Sequence, residues 1–342
     1  NAITIDSNGL LFQGATDVYI VDYDTAGQAI NLVYSGSTVG WTPASDIVSA
    51  DEPTPPPTQK AIFGYGSGVT AITNLVSSSG VVATDTAGVG TARANIAAAG
   101  YGSDKALFGY GYNGSTVVSM TNLVSNSGVV ATDTGGVGTA RYGLAAATYG
   151  TDKAIFGYGN SGSATAITNL VSSSGVVASD VAGVGTARFN IAASGYGTDT
   201  AIFGYGSVAS PGLSMTNLVS NVGVVATDTS GVGTARRELA AASYGGDKAI
   251  FGYGVISTQS SLTNLVSSSG VVSADVTGVG TARTALAAAS YGGDKALFGY
   301  GSTGSVSSLT NLVSNSGVVA TDTTGVGTAR NNLTAAGYSQ SA

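Results

Sequence analysis

Asn332-Leu333-Thr334-Ala335-Ala336-Gly337-Tyr338 is a strand-like stretch with no partner strand beside it in the sequence, and its reading decides the fold. It repeats the pattern of Leu144-Ala145-Ala146-Ala147-Thr148-Tyr149, which a Gly-Thr-Asp-Lys turn joins to Ala154-Ile155-Phe156-Gly157-Tyr158. A variable loop then leads to Ile167-Thr168-Asn169-Leu170-Val171, a Ser-Ser-Ser-Gly turn and Val176-Val177-Ala178-Ser179-Asp180. Four short apolar runs bounded by turn residues, a to d, fill one unit. Phe-Gly-Tyr-Gly begins at Phe63, Phe108, Phe156, Phe203, Phe251 and Phe298, so the unit occurs six times at a spacing of about 47 residues. A period of this length with short apolar runs predicts a propeller blade, because helical repeats need a 3.6-residue periodicity that is missing here. The Ala-rich a strand is too short between glycines to nucleate a helix, and small side chains let innermost strands approach closely.

The phase of the repeat carries the prediction further. The first copy begins at strand b with Lys60 and has no a strand before it. Placing residues 332–338 in that gap completes six four-stranded blades and removes the free edges that template aggregation. The expected fold is all-β: a six-bladed β-propeller closed by a C-terminal strand in the first blade, preceded by a small N-terminal β domain. A β-solenoid with two coils per repeat is the alternative.

Composition narrows the chemistry. The chain has 342 residues with no Cys and no His, which excludes disulfides, thiol nucleophiles, imidazole bases and zinc fingers. Its only Glu residues are Glu52 and Glu238, so paired-Glu catalysis is poorly supplied. No apolar run reaches the roughly 18 residues of a membrane helix, and the chain reads as soluble. All of the net charge of −7 lies in residues 1–59, leaving residues 60–342 neutral. A neutral body lacks the footprint of a nucleic-acid or anionic-lipid binder. No enzyme activity, cofactor or metal is expected. Asp22-Tyr23-Asp24-Thr25-Ala26-Gly27 only partly matches a calcium loop, and the Gly-x-Gly runs lack the strand–loop–helix setting of a phosphate loop.

Residues 1–50 hold strand-length runs at Ile3–Asp6, Leu10–Phe12, Val18–Val21 and Ile30–Tyr34, ending at Gly40-Trp41-Thr42. They predict a small β domain that is marginal alone and is expected to oligomerise or dock on a partner. Residues 51–59, with four of the six prolines, read as a semi-rigid extended spacer. Residues 60–342 form the head.

Two sets of repeated residues are structural candidates. Each copy has an Asp eight residues before an Arg: Asp85 and Arg93, Asp133 and Arg141, Asp180 and Arg188, Asp228 and Arg236, Asp275 and Arg283, Asp322 and Arg330. They read as charge pairs in which Arg locks the connector bidentately, with an anion site as the alternative. Asn74, Asn122, Asn169, Asn217, Asn264 and Asn311 lie in strand c, where Asn is disfavoured, and are expected to make a repeated structural hydrogen bond. Asp-Lys at the a–b turn is read as turn chemistry.

Variation between copies points to recognition. The b–c loops differ, and so does the pair after each Arg: Ala94-Asn95, Tyr142-Gly143, Phe189-Asn190, Arg237-Glu238, Thr284-Ala285 and Asn331-Asn332. Up-and-down blades place both regions on one face, and binding residues commonly sit on loops over a rigid scaffold. Tyr112, Tyr142, Phe189, Arg237 and Glu238 are the expected ligand contacts.

Small-residue strand, Asp-Lys turn, apolar strand ending in glycines, variable loop, two further strands and a Thr-Ala-Arg connector: this order resembles kelch-type blades. Phe-Gly-Tyr-Gly replaces the usual adjacent glycines, and Val-Val stands where that family's strand d has Trp. The copies are also similar to near-identical repeats in virion and tail-fibre-like proteins of marine tailed phages, and residues 1–50 resemble small β modules of phage tails. That resemblance implies a virion-surface or extracellular appendage with no catalytic residue carried over. The expected partners are other virion proteins and further copies of the chain through residues 1–50, and a host glycan or receptor on the head. A secreted or cell-surface bacterial lectin-like or filament-forming propeller protein is the alternative.

Overall fold

The computed structural model describes residues 3–6, 20–23, 32–43, 59–209 and 211–339. Leu10–Phe12, Asp24–Gly27 and residues 51–58 of the proline-rich run lie outside the described residues. The chain divides into two compact units, Asn1–Pro56 and Pro57–Ala342. Among the described residues every regular element is a β-strand.

In the first unit, β1 (Ile3–Asp6) pairs antiparallel with β2 (Ile20–Tyr23), and β3 (Leu32–Tyr34) with β4 (Trp41–Pro43). The β3–β4 turn is fixed by Ser35 N–H on Gly40 O, and the Tyr34 and Trp41 rings lie 5.4 Å apart across the pair.

The second unit contains six three-stranded antiparallel sheets. In chain order its strands are β5 (Lys60–Gly64), β6 (Thr73–Val76), β7 (Ala97–Tyr101), β8 (Lys105–Gly109), β9 (Thr121–Val124), β10 (Ala145–Tyr149), β11 (Lys153–Gly157), β12 (Thr168–Val171) and β13 (Ala192–Tyr196). They continue as β14 (Thr200–Gly204), β15 (Thr216–Val219), β16 (Ala240–Tyr244), β17 (Lys248–Gly252), β18 (Thr263–Val266), β19 (Ala287–Tyr291), β20 (Lys295–Gly299), β21 (Thr310–Val313) and β22 (Thr334–Tyr338). Five sheets are made of consecutive strands, from β7-β8-β9 to β19-β20-β21. The sixth is β22-β5-β6, with Thr334 opposite Gly64 and Tyr338 opposite Lys60. The unpartnered stretch at the end of the sequence therefore pairs with the first repeat. First strands also pack against one another, in the succession β7, β10, β13, β16, β19, β22, and β22 packs on β7.

Strand d departs from the expected ladder. Each sheet has three strands, and the fourth run touches the third only at isolated bridges such as Val171–Val177 and Thr168–Val181. The cause is the strand-c Asn. Asn169 Nδ2 donates to Ala178 O at 3.0 Å and to Asp180 Oδ1 at 2.9 Å, so a side chain stands where a backbone rung would be.

Phe-Gly-Tyr-Gly packs sheet to sheet. Phe203 is fully buried, its ring lies 5.1 Å from that of Tyr158 in the preceding sheet, and a Cβ on Gly157 would come within 2.6 Å of it. The same contact runs through all six copies, with Phe63 against Tyr300 and over Gly299. The Tyr of each tetrad holds a left-handed backbone, φ 62–65°, which is unfavourable for a residue with a Cβ. It is retained because the Tyr ring is clamped between the next Phe and an Arg, and its hydroxyl donates to a Val carbonyl, as Tyr158 does to Val184 at 3.1 Å.

Gln59, read as the last residue of the spacer, is buried in the second unit. It occupies the turn position that Asp holds in other copies. Its carbonyl accepts from Gly292 N–H and its Oε1 from Gly293 N–H, just as Asp247 O accepts from Gly197 N–H.

Candidate binding face

The connector Gly-Val-Gly-Thr-Ala-Arg builds the frame that holds the variable residues. In the copy ending at Arg188, Gly185 has φ +79°, and a Cβ there would meet Asp228 Oδ1 at 2.3 Å. That close approach lets the Thr186 N–H and Oγ1 both donate to the Asp228 carboxylate, at 2.9 and 2.7 Å to Oδ2. Arg188 is fully buried. Its Nη2 donates to Asn217 Oδ1 at 2.6 Å, its Nε to Tyr205 O at 2.8 Å and its Nη1 to Thr186 O at 2.9 Å, while the guanidinium lies 4.5 Å over the Tyr158 ring.

The charge pairs differ from the expected ones. Asp228 faces Arg188 of the preceding copy at 3.7 Å, not Arg236, and Asp275 faces Arg236 at 3.3 Å, Asp322 Arg283 at 3.6 Å and Asp85 Arg330 at 4.0 Å. Asp133 and Asp180 likewise receive Thr91 and Thr139, from the connectors ending at Arg93 and Arg141. Eight residues of chain can span roughly 25 Å when extended, and here they carry each Arg away from its own Asp and into the next sheet. The bidentate pairing is also absent. Thr takes the carboxylate, and Asn Oδ1 takes the guanidinium, as in Arg141–Asn169 at 2.7 Å and in the Arg93–Asn122 and Arg283–Asn311 pairs. All six guanidinium groups are buried between sheets, where they serve as ties rather than an open anion site. The Nε atoms of Arg93, Arg236 and Arg283 have no partner.

These ties set the pH response. Partial burial opposes ionisation of Asp228, but bonds from Thr186 and Asn217 and the Arg188 charge outweigh it and hold the carboxyl below its usual range; the other five copies behave alike. A lowered folded-state pKa contributes stability that is present above the unfolded value, about 3.9, and lost as pH falls through the folded value. Burial pushes the hydroxyls of Tyr158, Tyr205, Tyr253 and Tyr300 up to about 12. Their contribution is complete below the unfolded value of about 10 and is lost as pH rises toward about 12. With no His or Cys between these limits, thermal unfolding is expected to vary little from about pH 5 to 9 and to fall beyond both ends. A stability transition centred near pH 6 or 7 in a melting series would contradict this.

The Asp-Lys turns form neighbouring ion pairs at half-exposed side chains, Lys105–Asp104 at 2.6 Å and Lys153–Asp152 at 3.0 Å. Their main work is done by backbone: Gly102 N–H donates to Asp152 O, and Gly150 N–H to Asp199 O, linking turns of adjacent sheets.

Strand a begins beside the end of strand b, Ala145 opposite Gly157, so the connector end and the b–c loop meet at one end of the sheets. The structure pairs them across successive copies. Ala94 bridges Tyr112, Tyr142 bridges Asn160, Phe189 bridges Ser207, Arg237 bridges Val255 and Thr284 bridges Ser302. Each bridge continues the a–b ladder of one sheet, so Tyr112, Tyr142, Phe189 and Arg237 stand at the same end of four consecutive sheets. Tyr112 is 37% exposed, and its hydroxyl is fixed on Gly114 O at 2.8 Å; Tyr142 and Phe189 are half-buried. Arg237 Nε lies 3.9 Å from Glu238 Oε1.

Glu238 belongs to a different layer. The second residue after each Arg is left-handed, φ 51–60°, and donates its N–H to the carbonyl of its counterpart in the neighbouring copy. Gly143 donates to Asn95, Asn190 to Gly143, Glu238 to Asn190, Ala285 to Glu238, Asn332 to Ala285 and Asn95 to Asn332. The circuit returns to its start. It frames a cavity of about 120 Å³ lined by the alanines of the first strands. A larger cavity, about 490 Å³, lies at the a–b turns. Among the described residues no group of three Asp or Glu side chains is arranged to hold a metal ion.

Sequence reasoning did not identify Thr186 and its counterparts as the partners of Asp, nor the backbone circuit. The constancy of Thr before Ala-Arg in all six copies was the available signal. No protein-family model matches the chain, and no curated protein matches it.

Proposed function

We propose that residues 59–342 form a closed, six-bladed, kelch-like β-propeller, and that the chain is a non-enzymatic binding and display protein of a phage virion appendage. The fold reading is supported by β22 completing the first sheet, by the succession of first strands that returns to β7, and by the backbone circuit through Asn95 and Asn332. One observation carries the functional reading. In each sheet the variable residue before strand a meets the variable b–c loop, and these pairs lie at one end of the sheets over a frame of Arg, Asn, Asp and Thr that scarcely changes. Gln59, the first described residue of the unit, lies among the a–b turns, at the end of the sheets opposite the variable residues. In this reading residues 1–50 attach the protein to the particle and to further copies, and the head meets a receptor or glycan on a host surface.

The test uses fluorescently labelled full-length protein and a panel of marine bacterial isolates. The wild type is expected to adsorb to some of them. The Tyr142→Ala/Phe189→Ala variant loses at least about tenfold in adsorption, since truncating two aromatic contacts costs roughly 1–2 kcal/mol each. Its melting temperature stays near that of the wild type. Equal adsorption by the variant and the wild type refutes the reading.

A further inference from the structure

The variable end is strongly asymmetric. At the first position after the connector Arg, the side chains run Ala94, Tyr142, Phe189, Arg237, Thr284 and Asn331. Tyr112 pairs with Ala94 at the end of its own sheet, so three aromatic rings occupy consecutive sheets and a cation follows in the fourth. The remaining two sheets carry only small polar side chains there. Phe189 is the only described Phe that is not fully buried; the tetrad Phe residues are all at 0%. This partly exposed aromatic series is not required by the frame, because Ala94, Thr284 and Asn331 occupy the same position without changing it.

The cation has unspent capacity. Arg237 Nη1 is buried without a hydrogen-bond partner, and its Nε makes only a long ion pair with Glu238 Oε1, at 3.9 Å and beyond hydrogen-bonding distance. Glu238 is engaged elsewhere: its Oε2 accepts from Thr284 Oγ1 at 2.8 Å and its Oε1 from Asn190 Nδ2 at 3.5 Å. Its carboxylate is thus held on neighbouring copies, and the Arg237 side chain, 25% exposed, is the cation beside the aromatic series that an anion can reach.

Resting on the display reading above, we propose that this arc binds an acidic oligosaccharide, with successive sugar rings against Tyr112, Tyr142 and Phe189 and a carboxylate at Arg237. A chain of similar rings matches platforms repeated from sheet to sheet. Each sugar offers an apolar C–H face to an aromatic ring, while its hydroxyls meet short polar groups such as Asn160 and Ser161 beside the arc. A peptide anchor would need a deep apolar pocket. The cavity at this end, about 120 Å³, lies among the first strands, inside the backbone circuit.

Full-length protein is titrated with hexamers of galacturonate, mannuronate, guluronate and hyaluronan, with the methyl ester of the galacturonate hexamer, and with neutral glucose and mannose hexamers. At least one acidic hexamer is expected to bind, and better than its own monosaccharide. Arg237→Gln is expected to weaken that binding about tenfold and to reduce its salt dependence, and Phe189→Ala about tenfold without changing the salt dependence. Thr303→Ala, in a b–c loop beyond the arc, leaves it unchanged. The proposal is overturned if no acidic hexamer binds, if a neutral or esterified hexamer binds equally well, or if Arg237→Gln has no effect. Loss of cell adsorption in the aromatic variant without saccharide binding would remove this inference and leave the display reading intact. Adsorption unaffected by that variant would remove the display reading itself.

Discussion

Arg188→Ala is expected to destabilise the second unit by about 3–5 kcal/mol, the range for removing one partner of a buried charged network. The substitution strips a cation from the Tyr158 ring, leaves Asn217 Oδ1 and Tyr205 O without their donors, and leaves Asp228 with Thr186 and Asn217 alone. It also opens a large cavity between two sheets, because Arg188 is among the largest fully buried side chains. Arg188→Met refills part of the volume and is expected to recover only part of the loss, since the buried acceptors stay unpaired. Arg188→Lys restores charge without the planar fork and falls between them. Urea unfolding of the full chain measures all three. A loss below about 1 kcal/mol for the Ala variant would show that packing by Phe and Tyr, not the Arg tie, joins the sheets.

Deleting residues 332–342 is expected to have the second large effect. It removes β22 and the residue before it, with buried Leu333, Ala335, Ala336 and Tyr338, and it uncovers the edge of β5. It also breaks the bonds from Asn332 to Ala285 and from Ser339 to Asp104. The lost burial alone is worth on the order of 5 kcal/mol, and the bared edge invites pairing with other chains. The truncated protein is therefore expected to unfold less cooperatively and to form soluble aggregates in size-exclusion chromatography. A synthetic peptide of residues 331–339 supplied in trans should restore a monodisperse species by taking the vacant place beside β5. If the truncated chain stays monodisperse with an unchanged melting temperature, β22 is dispensable.

The repeat and the destination of residues 332–338 were legible because strand b of the first copy stood without its neighbour and Phe-Gly-Tyr-Gly marked every unit. Strand d was read as a full strand because Val176-Val177-Ala178 has the right composition. The strand-c Asn does make the repeated structural hydrogen bond expected of it, but its composition alone does not announce that Asn169 takes a rung of the ladder and shortens strand d. The Asp–Arg pairing was misassigned for a related reason: the nearest Arg along the chain is not the nearest in space once a connector crosses between sheets. The variable residues were visible as differences among copies. That Tyr142 meets the loop of the following copy, at Asn160, depends on strand register. Gln59 was assigned to the spacer by its proline-rich company, although it directly precedes Lys60 as Asp152 precedes Lys153.

Because β5 takes its inner partner from the far end of the second unit, the order of biosynthesis matters. Tyr65, emerging early from the ribosome, waits for the Nε of Arg330, 265 residues later, to reach its carbonyl. Adjacent strands such as β7, β8 and β9 can pair as they are made, but the β5 edge stays open until β22 has been made. Contacts so distant along the chain are slow to form, and an open edge on a nascent chain is exposed to association with its neighbours on a polysome. The synthesis of β22 thus sets the point at which the β5 edge can be covered.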